Sequence, residues 1–141
     1  MGGGLQWRPL VHLSDVSRAF ISVISAKSNL VNKEVFNVGL DNFQIKNLAY
    51  LVREELPFPV EIDVAPDDAD KRDYNVVFKK AEEKIGFKAK VDVTQGIKEI
   101  YLALKAGKVD VGPKTVTVQW YRNLLDAKAL LDSVLLDGRV I

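Results

Sequence analysis

Cysteine is missing from all 141 residues, and histidine occurs once. That removes disulfides, thiolate metal centres and cysteine nucleophiles, and it leaves too few nitrogen and sulfur ligands for a structural zinc site. An excess of one charge is missing too, since 20 basic residues stand against 19 acidic ones, a net of +1. Nucleic acids and anionic membranes are usually met by a basic face, so neither is expected as a partner. No apolar run is long enough to cross a bilayer and no signal-peptide pattern opens the chain, which makes the cytoplasm the expected compartment. What is there is an ordinary globular composition, 48% hydrophobic and 28% charged, in a length suited to one domain. The opening Met1-Gly2-Gly3-Gly4 makes a poor phosphate loop. A dinucleotide turn needs a strand before its glycines and a helix directly after them, whereas here Pro9 follows and biases Arg8 away from helix. A flexible terminus is expected instead.

Hydrophobic periodicity divides the rest into alternating elements. Leu10–Leu13 is β-prone, and Ser14 is placed to cap a helix with Asp15 in its first turn. Val16, Ala19, Phe20, Val23 and Ile24 recur at helical spacing, the stripe of a helix laid on a core. Glu34–Val38 reads as a strand closed by Gly39. Asp41 or Asn42 then caps a helix striped by Ile45, Leu48, Ala49 and Val52, and Pro57 ends it. Val60–Val64 alternates apolar and acidic residues, as a half-buried strand does. The densely charged stretch Pro66–Tyr74 is too polar for core, and it follows a strand, where α/β proteins place ligand loops. A short helix over Val77–Ile85 ends at Gly86, and Phe87–Val93 is extended. Thr94 caps a further helix through Ile97, Ile100, Tyr101 and Leu104, closed by Gly107. After Gly112-Pro113 a last helix runs from about Val118 to Leu136, with Trp120, Leu124, Ala127, Leu131, Val134 and Leu135 on a buried face. The fold class expected is α/β (or α+β), with about five helices and a few short strands.

Three segments carry a resemblance. Trp7-Arg8-Pro9-Leu10-Val11-His12-Leu13-Ser14-Asp15-Val16-Ser17-Arg18-Ala19-Phe20 is one. Glu34-Val35-Phe36-Asn37-Val38-Gly39 with Gln44-Ile45-Lys46-Asn47-Leu48-Ala49 is the second. Asp70-Lys71-Arg72-Asp73-Tyr74 with Lys80 to Phe87 is the third. In this order and spacing they resemble the extended short-chain dehydrogenase/reductase enzymes that act on nucleotide sugars, over roughly residues 5 to 107. Val116–Tyr121 is similar to a C-terminal extension found in part of that family. The resemblance implies residues 1–107 as the C-terminal substrate-binding region of an epimerase or dehydratase, and 108–141 as a loop and helical extension. It implies a parent enzyme that uses NAD, with the glycine-rich cofactor turn and the catalytic Tyr-x-x-x-Lys pair in an N-terminal Rossmann half that this chain lacks. The chain alone is then expected to be inactive and to hold no cofactor. Its ligand is expected to be a nucleotide sugar, its partner the missing half, and its uncovered apolar surface prone to self-association.

The site residues follow from the same resemblance. Arg8 is similar to the family arginine that reaches the substrate diphosphate, and a guanidinium offers fork-shaped donors that match phosphate oxygens. Arg72 and Lys71 supply two cations in the charged loop, while Asp70 or Asp73 accepts from ribose hydroxyls. Against this stands the plain reading, a solvated loop whose charges pair locally and contribute little each. Trp7 is placed either to stack on the ligand or simply to pack. The loop departs from the family at Asn75, where arginine is frequent, and at Val77 and Lys79, which replace an Asp and a Ser; the lost aspartate removes a helix cap. Tyr101 and Lys105 have the catalytic Tyr-x-x-x-Lys spacing. Tyr101 continues an apolar stripe, however, and Lys105 sits in a last helical turn where a cation suits the dipole, so the pair reads as structural. His12, alone in a β-prone run, reads as structural as well. The alternative functions are a stand-alone nucleotide- or phosphate-binding module and an interaction module docking through its last helix.

Overall fold

The computed structural model describes residues 4–64, 72–109 and 112–140. The architecture is mixed α/β, with six helices and two small antiparallel sheets among the described residues. The chain divides into two compact units, Met1–Leu102 and Ala103–Ile141.

In the first unit, β1 (Trp7–Leu10) pairs antiparallel with β2 (Asp41–Gln44), Trp7 opposite Gln44 and Leu10 opposite Asp41. The strand lies three residues earlier than the β-prone run suggested, and β2 occupies residues expected to cap a helix. Polar bonds explain the shift. The Asn42 side chain and Val76 exchange two hydrogen bonds, with Asn42 Nδ2 donating to the Val76 carbonyl at 2.8 Å and Val76 N–H to Asn42 Oδ1 at 2.9 Å. Asn42 is thereby committed to the sheet side, and α3 (Ile45–Glu55) starts after Gln44 with no capping side chain. It stops at Leu56, before Pro57, as expected. Glu34–Val38 and Val60–Val64 form no ladder among the described residues. Phe36 and Val38 do turn inward and Val35 outward, so the strand-like alternation is present without a neighbouring backbone to pair with.

Helix α1 (Leu13–Ser25) is capped by His12 rather than Ser14: the His12 ring accepts Ser14 N–H at 3.2 Å, and the His12 carbonyl takes Asp15 and Val16 N–H. Its buried face centres on Asp15 and Ala19. This corrects the expected stripe, because Phe20 is 67% and Ile24 81% exposed. The helix is apolar on more than one side, and only one side is covered.

Asp15 is fully buried. Its Oδ2 accepts Lys90 N–H and Val91 N–H, both at 2.9 Å, and its Oδ1 takes the Arg18 guanidinium. One carboxylate thus ties the extended Phe87–Val91 segment to α1 where no strand neighbour does so. The core beside it is small: Ala19, Ala81 and Phe87, with Phe36, Val38 and Ile85 packed around them.

A short helix, α2 (Ser28–Val31), follows α1. Helix α4 (Lys79–Ile85) begins with no side-chain cap, in keeping with the missing aspartate. It ends at Gly86 with φ 66°, where Gly86 N–H bonds to Glu82 O and Phe87 N–H to Ala81 O. This left-handed closure favours glycine. Lys80 and Lys84 bond the Glu34 carboxylate at 2.7 and 2.6 Å, and these two contacts lower its pKa to about 2. Helix α5 (Val93–Lys105) starts one residue before the expected cap. Asp92 does the capping: its Oδ1 accepts the Thr94 hydroxyl at 2.7 Å and Thr94 N–H at 2.8 Å, which holds the Asp92 carboxyl below its ordinary pKa.

In the second unit, a 3-10 turn (Pro113–Thr115) leads into α6 (Thr117–Val134). The expected buried face is not found: every α6 residue is described and none is buried. The helix also ends earlier than expected, because Leu135–Leu136 (β3) turns back onto Arg139–Val140 (β4). Asp137 (φ 51°) and Gly138 (φ 76°) make that turn, a dipeptide suited to two left-handed residues in succession.

Candidate functional site

The charged loop and β1 meet at one edge of the small sheet. Trp7 N–H donates to Asp73 Oδ1 at 2.7 Å, and Tyr74 N–H donates to the Trp7 carbonyl at 3.1 Å. Arg8 Nη1 donates to the Arg72 carbonyl at 2.5 Å and to the Trp7 carbonyl at 2.8 Å. The Arg8 guanidinium also lies over the Tyr74 ring, 5.6 Å from its centre, a contact that contributes about 0.5–1 kcal/mol at a partly exposed site. Farther along, the Asn42–Val76 exchange and Asn37 Nδ2 donating to the Val77 carbonyl at 3.3 Å continue the tether. Residues 72–77 therefore run beside the sheet, held by side-chain bonds more than by a ladder.

Three of the five expected site residues are brought together in this way. Arg8 is half-buried on β1, while Arg72 and Asp73 are exposed on the adjoining segment. Their described contacts are architectural. Arg8 holds the backbone of the loop, and Asp73 takes the end of β1. Asp70 and Lys71 lie outside the described residues. Trp7 is half-buried and supplies backbone groups on both sides of the junction. The result is a strand end and a loop that place two arginines within one small region, beside the exposed Tyr74 ring.

Two clefts lie elsewhere in the first unit. One, of about 290 Å³, runs between Gly39, Phe78 and Phe87. The other, of about 310 Å³, is largely apolar and is lined by Leu10, His12, Leu40, Val52, Ile97 and Ile100, among others. Neither is lined by Arg8, Arg72 or Asp73.

His12 has partners that the sequence did not reveal. Its Nε2 meets Glu99 Oε2 at 2.8 Å, and its Nδ1 lies 2.7 Å from Ser14 Oγ. Serine, histidine and carboxylate in a row suggest a nucleophile relay, but the bonding argues for structure. Nδ1 also accepts Ser14 N–H, and the first free amides of α1 are taken by the His12 carbonyl. His12 caps α1 and links it to α5. Tyr101 packs its ring on Phe58, with centres 6.0 Å apart, in line with a structural role.

The described part of the opening glycine run does not suit a dinucleotide. The Gly4 carbonyl accepts Lys46 N–H at 2.8 Å, and a Cβ on Gly4 would stand 2.9 Å from that same nitrogen. The glycine lets the terminal segment lie against the first turn of α3, which closes that helix end to a pyrophosphate.

No family model matches the chain, and no curated protein matches it. Among solved structures it is similar to a partial consensus L-threonine 3-dehydrogenase, with a TM-score of 0.57 at 19% identity. The likeness covers 73% of this chain and 35% of that one, so the chain spans about a third of the length of the protein it matches. What the two share is a fold.

Proposed function

We propose that this chain is the C-terminal, substrate-binding part of an NAD-dependent enzyme acting on nucleotide sugars, an epimerase or dehydratase. The observation that carries the proposal is the junction of β1 with residues 72–77, where Arg8 Nη1 donates to the Arg72 backbone carbonyl. Guanidinium groups turned from Arg8 and Arg72 towards one ligand would suit the two phosphates of a nucleoside diphosphate, each contact being charge-assisted and matched in shape. Asp73, and Asp70 and Lys71 with it, belong to the same loop and complete the polar set. The shared fold supports this reading, because it makes the chain comparable to one portion of a dehydrogenase rather than the whole. The exposed face of α1, where Leu13, Phe20, Ile21 and Ile24 lie between 63% and 81% exposed, supports it too. That face is where a cofactor-binding part would pack. In this division of labour the chain orients the substrate, NAD supplies the redox chemistry in the other part, and the chain alone turns nothing over.

Calorimetric titration of the chain with a uridine or thymidine diphosphate sugar, and separately with NAD, tests the proposal. Binding of the sugar nucleotide without binding of NAD is expected. Arg72→Ala should weaken that binding by roughly tenfold to a hundredfold, the equivalent of about 1.5–3 kcal/mol for a hydrogen bond to a charged group. Arg72→Lys should restore only part of it, since an ammonium keeps the charge and loses the fork. Equal affinity in the wild type and Arg72→Ala would reduce the loop to a solvated charge cluster.

A further inference from the structure

Gly96 is the fourth residue of α5, and in the body of a helix glycine is less favourable than alanine. Among the described residues nothing around it requires glycine. Its φ is not positive, its N–H bonds to the Asp92 carbonyl at 3.2 Å, and a Cβ there would meet only His12 Cδ2, at an ordinary 3.8 Å. Gly4 and Gly39 differ, since a Cβ on either would collide with its neighbours. What the missing side chain leaves open is the apolar cleft of about 310 Å³ that Gly96 lines. Helix α3 contributes Leu48 and Val52 to that lining, α5 contributes Ile97 and Ile100, and Leu10 and Leu40 come from the chain around the small sheet. Three parts of the first unit thus meet around one concave space.

We propose that this cleft binds an uncharged, apolar small molecule about the size of two fused rings. Lining chemistry sets the class. No lysine or arginine lines the cleft and the Asp92 carboxylate does, so a phosphate or a carboxylate is repelled. Asp92 Oδ1 is taken up by Thr94 in capping α5, and the His12 nitrogens meet Ser14 and Glu99. Recognition is left to the alkyl side chains. Volume sets the size: an apolar cavity of about 150 Å³ holds benzene, and this cleft has about twice that. The concave shape, built from one folded unit, suits a small molecule rather than a helix. The inference does not depend on the proposed function, since neither Arg8 nor Arg72 lines the cleft.

Titration of the 141-residue chain, isotope-labelled at its isoleucine methyls, with 2-naphthol is the test. Saturable NMR shifts at Ile97 and Ile100 are expected, with a dissociation constant of about 1 mM or tighter. Ile21 and Ile24, on the exposed face of α1, should stay unshifted. Naphthalene-2-sulfonate, the same rings with a negative charge, should bind at least about tenfold more weakly. Gly96→Leu fills the space and should weaken 2-naphthol binding by at least about tenfold. Ile100→Gln, at a position 63% exposed and therefore easy on the fold, should weaken it by about threefold or more, read at Ile97. Gly96→Ala should raise the melting temperature. The proposal is overturned by no saturable shift at Ile97 and Ile100, by equal shifts on α1, or by equal binding of the sulfonate. Unchanged affinity in the Gly96→Leu or Ile100→Gln variant overturns it too. So does a loss of stability in Gly96→Ala, which would give the glycine a packing role. Shifts at Ile97 and Ile100 that follow protein concentration without any probe would put a second copy in the cleft, and that also overturns it.

Discussion

Asp15→Ala takes away a carboxylate with no solvent exposure that serves three donors at once: Lys90 N–H, Val91 N–H and the Arg18 guanidinium. Hydrogen bonds to a charged acceptor contribute about 1.5–3 kcal/mol each. Arg18 is still 39% exposed, so water recovers much of its share. The Lys90 and Val91 amides are part-buried and meet a carboxylate that has no solvent exposure, so water replaces their contacts less readily. Losing both acceptor contacts, with a small cavity left behind, should cost roughly 3–5 kcal/mol. For a domain whose total stability lies in the usual range of about 5–15 kcal/mol, and whose buried core is as small as this one, that is a large share. Urea denaturation followed by circular dichroism should show it as a fall in the midpoint, and hydrogen exchange should locate it. The Lys90 and Val91 amides should lose protection by a hundredfold or more, roughly the equivalent of 3 kcal/mol. Asp15→Asn should fall between, since an amide oxygen still accepts the two backbone N–H groups while its nitrogen faces Arg18. If Asp15→Ala loses less than about 1 kcal/mol and both amides stay protected, the carboxylate is not what holds residues 87–91 to α1. Packing of Phe87 and Ala89 would then have to do so.

Two further perturbations test other parts of the first unit. Glu34 has its pKa lowered from 4.5 to about 2 by Lys80 and Lys84, so its contribution is present above the ordinary value and is lost as pH falls from about 4.5 towards 2; Glu34→Gln should flatten that stretch of a melting-temperature profile against pH and change little at neutrality. Gly39 packs against the Phe78 ring so closely that a Cβ would collide with it, so Gly39→Ala should destabilise by about 1–3 kcal/mol in a thermal melt and alter the environment of the Phe78 ring in an NMR spectrum.

The helices were legible in the sequence because their signals are local. Pro57 after Leu56, Gly86 after Ile85 and Gly107 after Lys105 each stop a helix through backbone chemistry that needs no partner. The strands were less so, since a strand is defined by its neighbour. Glu34–Val38 and Val60–Val64 have the right alternation yet lie in no ladder among the described residues, while the less patterned Trp7–Leu10 pairs with Asp41–Gln44. Periodicity also shows which residues share a face without showing which face is covered. Phe20 and Ile24 fit the stripe of α1, but Ala19 and Asp15 occupy its covered side. On α6 the whole apolar seam was assigned to a core, and none of it is buried. The hairpin after α6 did carry a local signal, Asp137-Gly138, which the helical run up to Leu136 obscured.

The candidate site was legible to a different degree in each of its parts. The arginine chemistry can be read from single residues, but the meeting of Arg8 and Arg72 joins positions 64 residues apart and has no trace in local spacing. What makes them neighbours is a pair of bonds at Trp7, whose N–H donates to the Asp73 carboxylate and whose carbonyl accepts Tyr74 N–H, together with the Asn42 clamp on Val76. Asn42 looked like a helix cap and Asp73 like a ligand residue, and both turn out to hold chain against chain. Asp15 was hidden for the same reason, since an acidic residue in a first helical turn is ordinary and only the approach of residues 90–91 makes it structural. A short polar side chain that offers acceptors to passing amides substitutes for a missing strand neighbour, at Asp15 and at Asn42 alike. The segment carrying Arg72 is therefore held in place by a few polar contacts, and substitutions at Asn42 should disturb the site as directly as substitutions of the arginines themselves.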